Sequence, residues 1–397
     1  MTAVLSRGIA RGLSSNVRTV LLLASAVVFY ETIFFTVLIP LLPHYESELG
    51  LSKGEVGVLT GTYAAGAFCG AVPGGIFALR RGTRGAVLLG LVLLVAGSLA
   101  FGFSSSFIAL CASRFIQGIG STFAWIGALT WLVTAAPRSR RGELIGVALG
   151  AAVAGSLIGP TVGAIAARFG TEATFAVTGC LGLAVAALSL SVNPPPLAAD
   201  HLSSMKRVRH SRAAVAGVAL LVLNALLFGA LTVLAPLRLD NFGWSAAEIA
   251  AVFLVSSVVM VFTTPLIGNW SDVRGRRPPI IAGLAASTLV SAGLAVVGWS
   301  LAFALITVVA GVAYSSAWGP GTALLSDGIE QVGVGLAVGF VLFNLAWTPG
   351  FLTGAVAGGW LGERLGDSSA FIVLSCLSGL GLLVAAMGNR LPLRARS

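Results

Sequence analysis

The chain has 397 residues, of which 57% are hydrophobic and only 10% are charged. A soluble domain of this size needs more charge on its surface, so this composition excludes an ordinary soluble enzyme or binding domain. The formal net charge of +10 is divided among short arginine clusters, so we expect no nucleic-acid partner.

Apolar stretches of membrane-spanning length recur along the whole chain. Each has about 20 residues, enough to cross roughly 30 Å of hydrocarbon as a helix. They lack the strict alternation of membrane β-strands. We therefore predict an all-α integral membrane protein. In chain order its twelve predicted spans are 19–43, 56–79, 86–103, 107–134, 143–168, 173–192, 213–239, 247–270, 279–300, 301–326, 333–362 and 370–389.

One long polar connection, Ser191–Arg212, separates six spans from six. We predict an N-terminal six-helix bundle over 1–192, a cytoplasmic linker over 193–212 and a C-terminal six-helix bundle over 213–397. With the N-terminus inside, the inner segments hold 19 of the 24 lysines and arginines, and the outer segments hold four. By the positive-inside rule, we expect a multi-pass protein of the cell (inner) membrane with both termini in the cytoplasm.

The two groups of six spans share a sequence repeat. At an offset of 193 residues, Ser52 and Glu55 match Ser245 and Glu248. The offset is 195 for three glycines of span 5 and their matches in span 11, namely Gly155/Gly350, Gly159/Gly354 and Gly163/Gly358. Parallel six-span repeats predict two bundles that rock about a central site, which is alternating access.

Glu31 is the most informative single residue, because it lies midway along the otherwise apolar first span. A carboxylate in hydrocarbon is costly, so acids inside spans usually line an ion or substrate path. The other thirteen acids fall in loops or at span ends. The repeat pairs Glu31 with Asn224, so one half keeps a charge and the other a neutral polar group.

Several short motifs carry a family resemblance. The loop at 268–277 reads GNWSDVRGRR, span 4 carries RxxQGxG from Arg114, and span 5 carries Gx8GPxxGA from Gly150. These resemble the signature patterns of the major facilitator superfamily, and the span 5 pattern is similar to that of its antiporter branches. Span 1, with an acid nine residues before Pro40, is similar to that of drug–proton antiporters and vesicular amine transporters.

The resemblance implies a twelve-span major facilitator fold. It implies secondary active efflux, in which protons are exchanged for small amphipathic, cationic compounds. The alternative is a proton-coupled exporter of a neutral or anionic metabolite such as a sugar, with Arg114 facing the substrate. The sequence has no HExxH zinc motif and no phosphate-binding GxxxxGK(S/T), so we expect no enzyme activity, cofactor or metal. We expect a monomer whose partners are a small-molecule substrate, protons and the lipid bilayer.

Glu31 and Arg114 are predicted to meet inside the membrane and to couple transport to protons. Counting residues places Glu31 roughly 18 Å from the inner surface and Arg114 roughly 10 Å from the outer one. In a bilayer of about 30 Å these depths nearly coincide. The pair is either a fixed structural salt bridge or a protonatable pair that opens when Glu31 binds a proton or a cation.

Polar and aromatic side chains on the central spans are the candidate substrate contacts. In this superfamily spans 1, 4, 7 and 10 line the cavity. A carboxylate among aromatic faces suits a lipophilic organic cation, through charge pairing and cation–π attraction. Simple packing or lipid contact is the alternative for each aromatic side chain. The candidate substrate-binding residues are Glu31, Phe34, Phe35, Gln117, Ser121, Asn224, Phe228, Tyr314, Trp318, Asn344 and Trp347.

The arginine-rich loops are the predicted gate. We expect Asp272 to pair with the cations at 138–141 across the two bundles. Because Leu79 stands where the family has an aspartate, we expect the loop after span 2 to pair instead with the acids at 327 and 330. Ordinary solvated loops are the alternative. The candidate gating residues, including two that bend span 5, are Arg80, Arg81, Arg84, Asp272, Arg276, Arg277, Asp327, Gly159 and Pro160.

Overall fold

The computed structural model describes residues 13–194 and 205–387, which form α-helices joined by short turns. Within these ranges, twelve helical segments are long and apolar enough to cross a membrane. They are Ser15–Leu49, Lys53–Arg81, Thr83–Gly102, Phe107–Ala135, Arg138–Phe169, Thr171–Leu190, Arg212–Asn241, Ala246–Arg274, Arg277–Val296, Ser300–Gln331, Leu336–Leu365 and Asp367–Met387, numbered below as spans 1 to 12. The predicted all-α fold with twelve spans is confirmed.

Part of the predicted linker, 195–204, lies outside the described residues. So do the terminal segments 1–12 and 388–397, with several of the arginines counted for topology. Six spans precede the linker and six follow it. The division into two bundles with cytoplasmic termini stays a prediction.

The outward surface of the helices is apolar. Large side chains such as Ile108 and Leu289 are 80% and 72% exposed. Water would disfavour a surface of this kind, whereas lipid chains contact it at no such cost. The exposed apolar side chains are therefore the lipid-facing surface of a membrane protein.

Spans 2 and 8 begin with the same capping box. The Ser52 hydroxyl accepts a hydrogen bond from Glu55 N–H, and the Glu55 carboxylate accepts one from Ser52 N–H. Ser245 and Glu248 make the same two bonds at the start of span 8. Each box satisfies two helix-terminal donors. The repeat read from the sequence is confirmed at these two helix ends.

Glycines pack span 5 onto span 1 and span 11 onto span 7 in the same register. A Cβ on Gly159 would collide with the Ile33 carbonyl group, and a Cβ on Gly354 would collide with that of Leu226. The remaining contacts of the two series are Gly155–Phe29, Gly163–Val37, Gly350–Val222 and Gly358–Ala230. Glycine permits this close approach of two helix backbones. Two helices in each half are thereby held tightly against each other.

The connecting loops define two ends of the molecule. The arginine-rich end carries the loops around 80–84, 138–141 and 274–277. The opposite end carries the turns after spans 1, 7 and 11, around 50, 243 and 366. Glu31 lies between these ends, on the helix Ser15–Thr36 that forms most of span 1.

Candidate functional site

Glu31 is buried, with 5% of its surface exposed, and it is surrounded by hydroxyl groups. Ser121 Oγ donates a hydrogen bond to Glu31 Oε2. Tyr63 Oη lies 3.5 Å from the same oxygen, and Thr32 Oγ1 lies 3.0 Å from Oε1. These groups from spans 1, 2 and 4 satisfy the carboxylate without a cation, which is unusual for a buried acid.

The hydroxyl partners fit both protonation states of Glu31. Thr32 Oγ1 lies 2.7 Å from the Val28 carbonyl oxygen as well as 3.0 Å from Glu31 Oε1. A hydroxyl carries one proton and two lone pairs. Thr32 can thus donate to the ionised carboxylate, or accept from the protonated acid while donating to Val28. Thr32 can therefore keep a hydrogen bond to Glu31 in either protonation state through rotation of its own hydroxyl group.

Arg114 does not pair with Glu31, so the predicted direct ion pair is wrong in this conformation. Among the ion pairs of the described residues, none includes either side chain. Arg114 Nη1 instead donates to the Phe34 carbonyl oxygen at 2.8 Å and to Gln117 Oε1 at 2.9 Å. Ser121 is the residue of span 4 that meets Glu31. Arg114 lies seven residues before it, about 10 Å along the helix.

Tyr63 on span 2 connects these two charged groups, and the sequence analysis missed it. Its ring faces the Arg114 guanidinium, with 4.5 Å between Arg114 Cζ and the ring centroid. Its hydroxyl group points to Glu31. A tyrosine hydroxyl in the middle of a membrane span was the available signal, because such a group needs a polar partner.

Phe35 is the centre of an aromatic cluster that joins both halves. Its ring centroid lies 5.9 Å from that of Tyr63 in its own half. Across the halves it lies 6.5 Å from Phe228, 5.4 Å from Trp347 and 4.9 Å from Phe351. Phe35, Phe228 and Trp347, three of the predicted substrate contacts, thus lie close together, and their contact with substrate stays a prediction. One helical turn separates Phe35 from Glu31, so aromatic faces lie next to the carboxylate.

A second aromatic group lies closer to the arginine-rich end. Trp125 of span 4 is stacked on Phe343 of span 11, with 6.4 Å between ring centroids and 11° between planes. Trp318 meets the same Phe343 edge-on at 5.7 Å. Span 10 is broken here, since one helix ends at Ser315 and the next begins at Trp318. This group also connects the two halves.

Two amide side chains of the C-terminal half lie within one helical turn, along the chain, of these aromatic residues. Asn344 Nδ2 donates to the Phe340 carbonyl oxygen at 3.0 Å, and Asn344 Oδ1 accepts from Trp347 Nε1 at 3.3 Å. Asn224 lies one turn from Phe228 on span 7 and is 1% exposed. Its Nδ2 has no hydrogen-bond partner. A buried donor without a partner is costly, so this amide is poised for an acceptor that it lacks here.

Three predicted substrate contacts face the core of their own half. Phe34 packs against Tyr30 at 5.1 Å and Phe175 at 6.3 Å, measured between ring centroids. Gln117 donates to Ser98 on span 3 at 3.2 Å and accepts from Arg114. In this conformation these side chains are occupied within their own half, and their contact with substrate stays a prediction. The same holds for Tyr314, whose hydroxyl lies 2.7 Å from Ser291 Oγ on span 9.

The predicted ionic gate between the halves is also absent from the described residues. Asp272 forms an ion pair with Arg276, which lies four residues further along the chain. Arg276 Nη2 also lies 3.7 Å from Asp327 Oδ2. Both acids therefore bind one arginine within the C-terminal half. A neighbour four residues away reaches an acid with little loss of side-chain freedom, which explains why it competes well.

The other predicted gating arginines make different contacts. Arg84 Nη1 lies 3.4 Å from Asn193 Oδ1, and Arg277 donates to the Ala386 carbonyl oxygen. Arg80 and Arg81 are exposed at the end of span 2. At this end the halves meet through apolar residues of spans 2, 4 and 11, which include Ala71, Ala78, Ile126 and Val341.

Pro160 lies inside the continuous helix Arg141–Phe169 of span 5. Proline lacks an N–H group, so the Ser156 carbonyl oxygen loses its usual helical donor. Thr36 Oγ1 of span 1 lies 3.4 Å from this oxygen and donates to it. Gly159 lets Thr36 approach. The two predicted gating residues of span 5 thus shape its contact with span 1, and their role in gating stays a prediction.

No cluster of histidine, cysteine, aspartate or glutamate that could hold a metal occurs in 13–194 or 205–387. The groups that the site presents are one carboxylate, hydroxyl and amide groups, and aromatic rings.

Comparison with known proteins agrees with this architecture. The model of the Major Facilitator Superfamily matches residues 24–351, and a second match covers 217–396. The chain belongs to this superfamily of membrane transporters. The resemblance seen in the sequence motifs is confirmed.

Relatives of this chain include named resistance proteins. The "Chloramphenicol resistance protein" of Streptomyces lividans is 28% identical and covers 85% of this chain and 91% of its own length. "Multidrug resistance protein 2" of Bacillus subtilis is 23% identical, over 63% of this chain and 66% of its own length. The crystal structure of a D-xylose-proton symporter has the same fold, with a TM-score of 0.76, 20% identity, and coverage of 94% of this chain and 98% of that one.

Proposed function

We propose that this transporter exports small amphipathic cations in exchange for protons by alternating access. The observation that carries the proposal is the buried carboxylate of Glu31, which is held by hydroxyl groups of Thr32, Tyr63 and Ser121. A carboxylate without a resident cation is free to bind either a proton or a positively charged substrate.

Competition for this carboxylate couples the two flows. A cation that binds Glu31 displaces its proton, and a proton that binds there removes the charge that holds the cation. Exchange then needs no second coupling site. Because each bound state neutralises the buried charge, each state also lowers the cost of closing the site to both sides of the membrane.

The aromatic cluster around Phe35 supports a lipophilic cation. Cation–π attraction to several ring faces adds roughly 0.5–2 kcal/mol per good contact. The unpartnered amide of Asn224 adds a donor on the opposite half. A substrate with a hydrogen-bond acceptor, such as a carbonyl or hydroxyl oxygen, would satisfy it.

The names of two relatives, a chloramphenicol resistance protein and a multidrug resistance protein, support export of small organic compounds. We further propose a monomer in the cell (inner) membrane, with two six-helix bundles and with the arginine-rich end and both termini in the cytoplasm. The clustering of arginines at one end supports this orientation.

The test uses purified protein in liposomes with an imposed pH gradient. Cationic dyes, neutral metabolites and organic anions are added in turn, and proton movement is followed with a pH-sensitive dye. We expect cations to dissipate the gradient with the wild type and not with Glu31→Gln. Glu55→Gln is the matched control, since Glu55 is an acid used only in a helix cap. A response to sugars or anions alone would overturn the proposal in favour of the alternative substrate class.

A further inference from the structure

One ion pair joins the two halves at the end of the molecule opposite the arginine-rich loops. Lys53 Nζ at the start of span 2 lies 2.7 Å from Asp367 Oδ1 at the start of span 12. The side chains are 21% and 14% exposed. A pair that is so little exposed is weakly screened by salt, and each charge would be costly to leave alone.

A second bond crosses the halves beside this pair. The N–H of Gly54, in the first turn of span 2, donates to Glu363 Oε2 of span 11 at 2.9 Å. The first N–H groups of a helix have no partner within the helix. The carboxylate from the other half therefore caps span 2, and it also lies at the positive end of the helix dipole.

Close helix packing surrounds these two contacts. A Cβ on Gly359 would collide with the Lys53 carbonyl group, and a Cβ on Gly57 would collide with that of Ala355. Spans 2 and 11 thus touch backbone to backbone at this end. Any separation of spans 2 and 11 at this end therefore breaks the bond between Gly54 and Glu363.

The two ends are closed by different chemistry. At the arginine-rich end, the acids Asp272 and Asp327 are bound within their own half by Arg276, and the halves meet through apolar side chains. At the opposite end, charged groups of one half bind groups of the other. Removal of a charge at Lys53, Glu363 or Asp367 should therefore weaken the closure of this end and leave the apolar contact at the arginine-rich end unchanged.

We propose that Lys53, Glu363 and Asp367 form an ionic latch that holds the opposite end closed and must break in each transport cycle. The inference rests on the proposed alternating access. The latch sets the fraction of molecules that are open at this end, because its bonds exist only when the start of span 2 is in contact with span 11 and with the start of span 12.

The test measures accessibility independently of transport. The Cα atom of Val356, a half-buried residue of span 11, lies 3.3 Å from the position of a Cβ on Gly57, at the contact between spans 2 and 11. A Val356→Cys reporter is placed in a background without the native cysteines. In right-side-out vesicles, the rate of labelling by a membrane-impermeant maleimide reports opening of this end. Lys53→Met and Asp367→Asn each remove one charge of the latch, and Glu363→Gln keeps an acceptor oxygen but removes its charge.

We expect Lys53→Met and Asp367→Asn to accelerate labelling about five- to thirtyfold. This is the factor by which the open fraction rises when the closed state loses about 1–2 kcal/mol of stability. The charge-exchanged protein with Lys53→Asp and Asp367→Lys should return toward the wild-type rate. Glu55→Gln, which removes an acid of the same helix end but not of the latch, should leave the rate unchanged.

Equal labelling of wild type, Lys53→Met and Asp367→Asn would overturn the latch. Acceleration by Glu363→Gln supports it even where the other variants fold poorly. Failure of the transport proposal is distinguishable, because it would appear as absent cation–proton exchange in the wild type, whatever the labelling rates.

Discussion

Phe35 offers a sharp test of the central site, because its neighbour Phe34 is a matched control. The Phe35 ring lies within 4.9–6.5 Å of four other ring centroids, three of them in the other half. Replacement by leucine keeps an apolar side chain and removes the ring face. Loss of one cation–π contact of roughly 0.5–2 kcal/mol corresponds to a decrease of about two- to thirtyfold in the affinity for a cation.

The assay is the concentration dependence of cation-driven proton movement in liposomes. We expect Phe35→Leu to raise the apparent KM for an aromatic cation by that factor, with a smaller effect on a neutral substrate. Phe34→Leu should leave KM unchanged, since the Phe34 ring packs against the core rings of Tyr30 and Phe175, and leucine keeps the backbone carbonyl that binds Arg114. Its effect should be a lower melting temperature, from about 1 kcal/mol of lost packing. A raised KM in Phe34→Leu with an unchanged KM in Phe35→Leu would refute the reasoning.

Two further predictions concern the packing of each half and are read from thermal unfolding in detergent. Gly354→Ala should destabilise the folded protein by about 1–3 kcal/mol, because the added Cβ meets the backbone of span 7. Gly150→Ala is the control and should not destabilise it, since nothing lies within 4 Å of a Cβ at that position. Equal melting temperatures of the two variants would contradict the glycine contact. Thr36→Val should cost about 1 kcal/mol by removing the donor to Ser156 O. The cost should vanish in a Pro160→Ala background, which restores the helical N–H, and an undiminished cost there would contradict the proposed compensation.

Local sequence patterns predicted the features of this fold that depend on neighbouring residues. Span lengths follow from hydropathy, and the serine and glutamate three residues apart, read from the sequence only as a repeat, form the two capping boxes. The glycine series also held, because a period of about four residues keeps Gly155, Gly159 and Gly163 on one helix face.

Contacts that depend on helix rotation were not predictable in the same way. Counting residues estimates depth but not the direction of a side chain, so Arg114 was assigned to Glu31 while Ser121, on the same helix stripe, makes the contact. Phe34 and Phe35 point about 100° apart on one helix. Sequence spacing alone does not tell which of the two faces the other half.

The charged contacts at the two ends of the molecule could not be predicted from the sequence for a related reason. The sequence marks Asp272 as an acid beside many arginines, but the partner it selects, Arg276, is its neighbour four residues away. Lys53 and Asp367 were counted only as an outer charge and an acid at a span end. Their 314-residue separation along the chain leaves no local pattern by which to pair them.

In the proposed transport cycle, substrate and proton compete for the Glu31 carboxylate. The decisive measurement is proton release when a cationic substrate is added to the purified protein in weakly buffered solution, repeated over a range of starting pH. We expect release with the wild type and with Glu55→Gln, and none with Glu31→Gln. Substrate binding without proton release in the wild type at every pH, or equal release in Glu31→Gln, would contradict the claim.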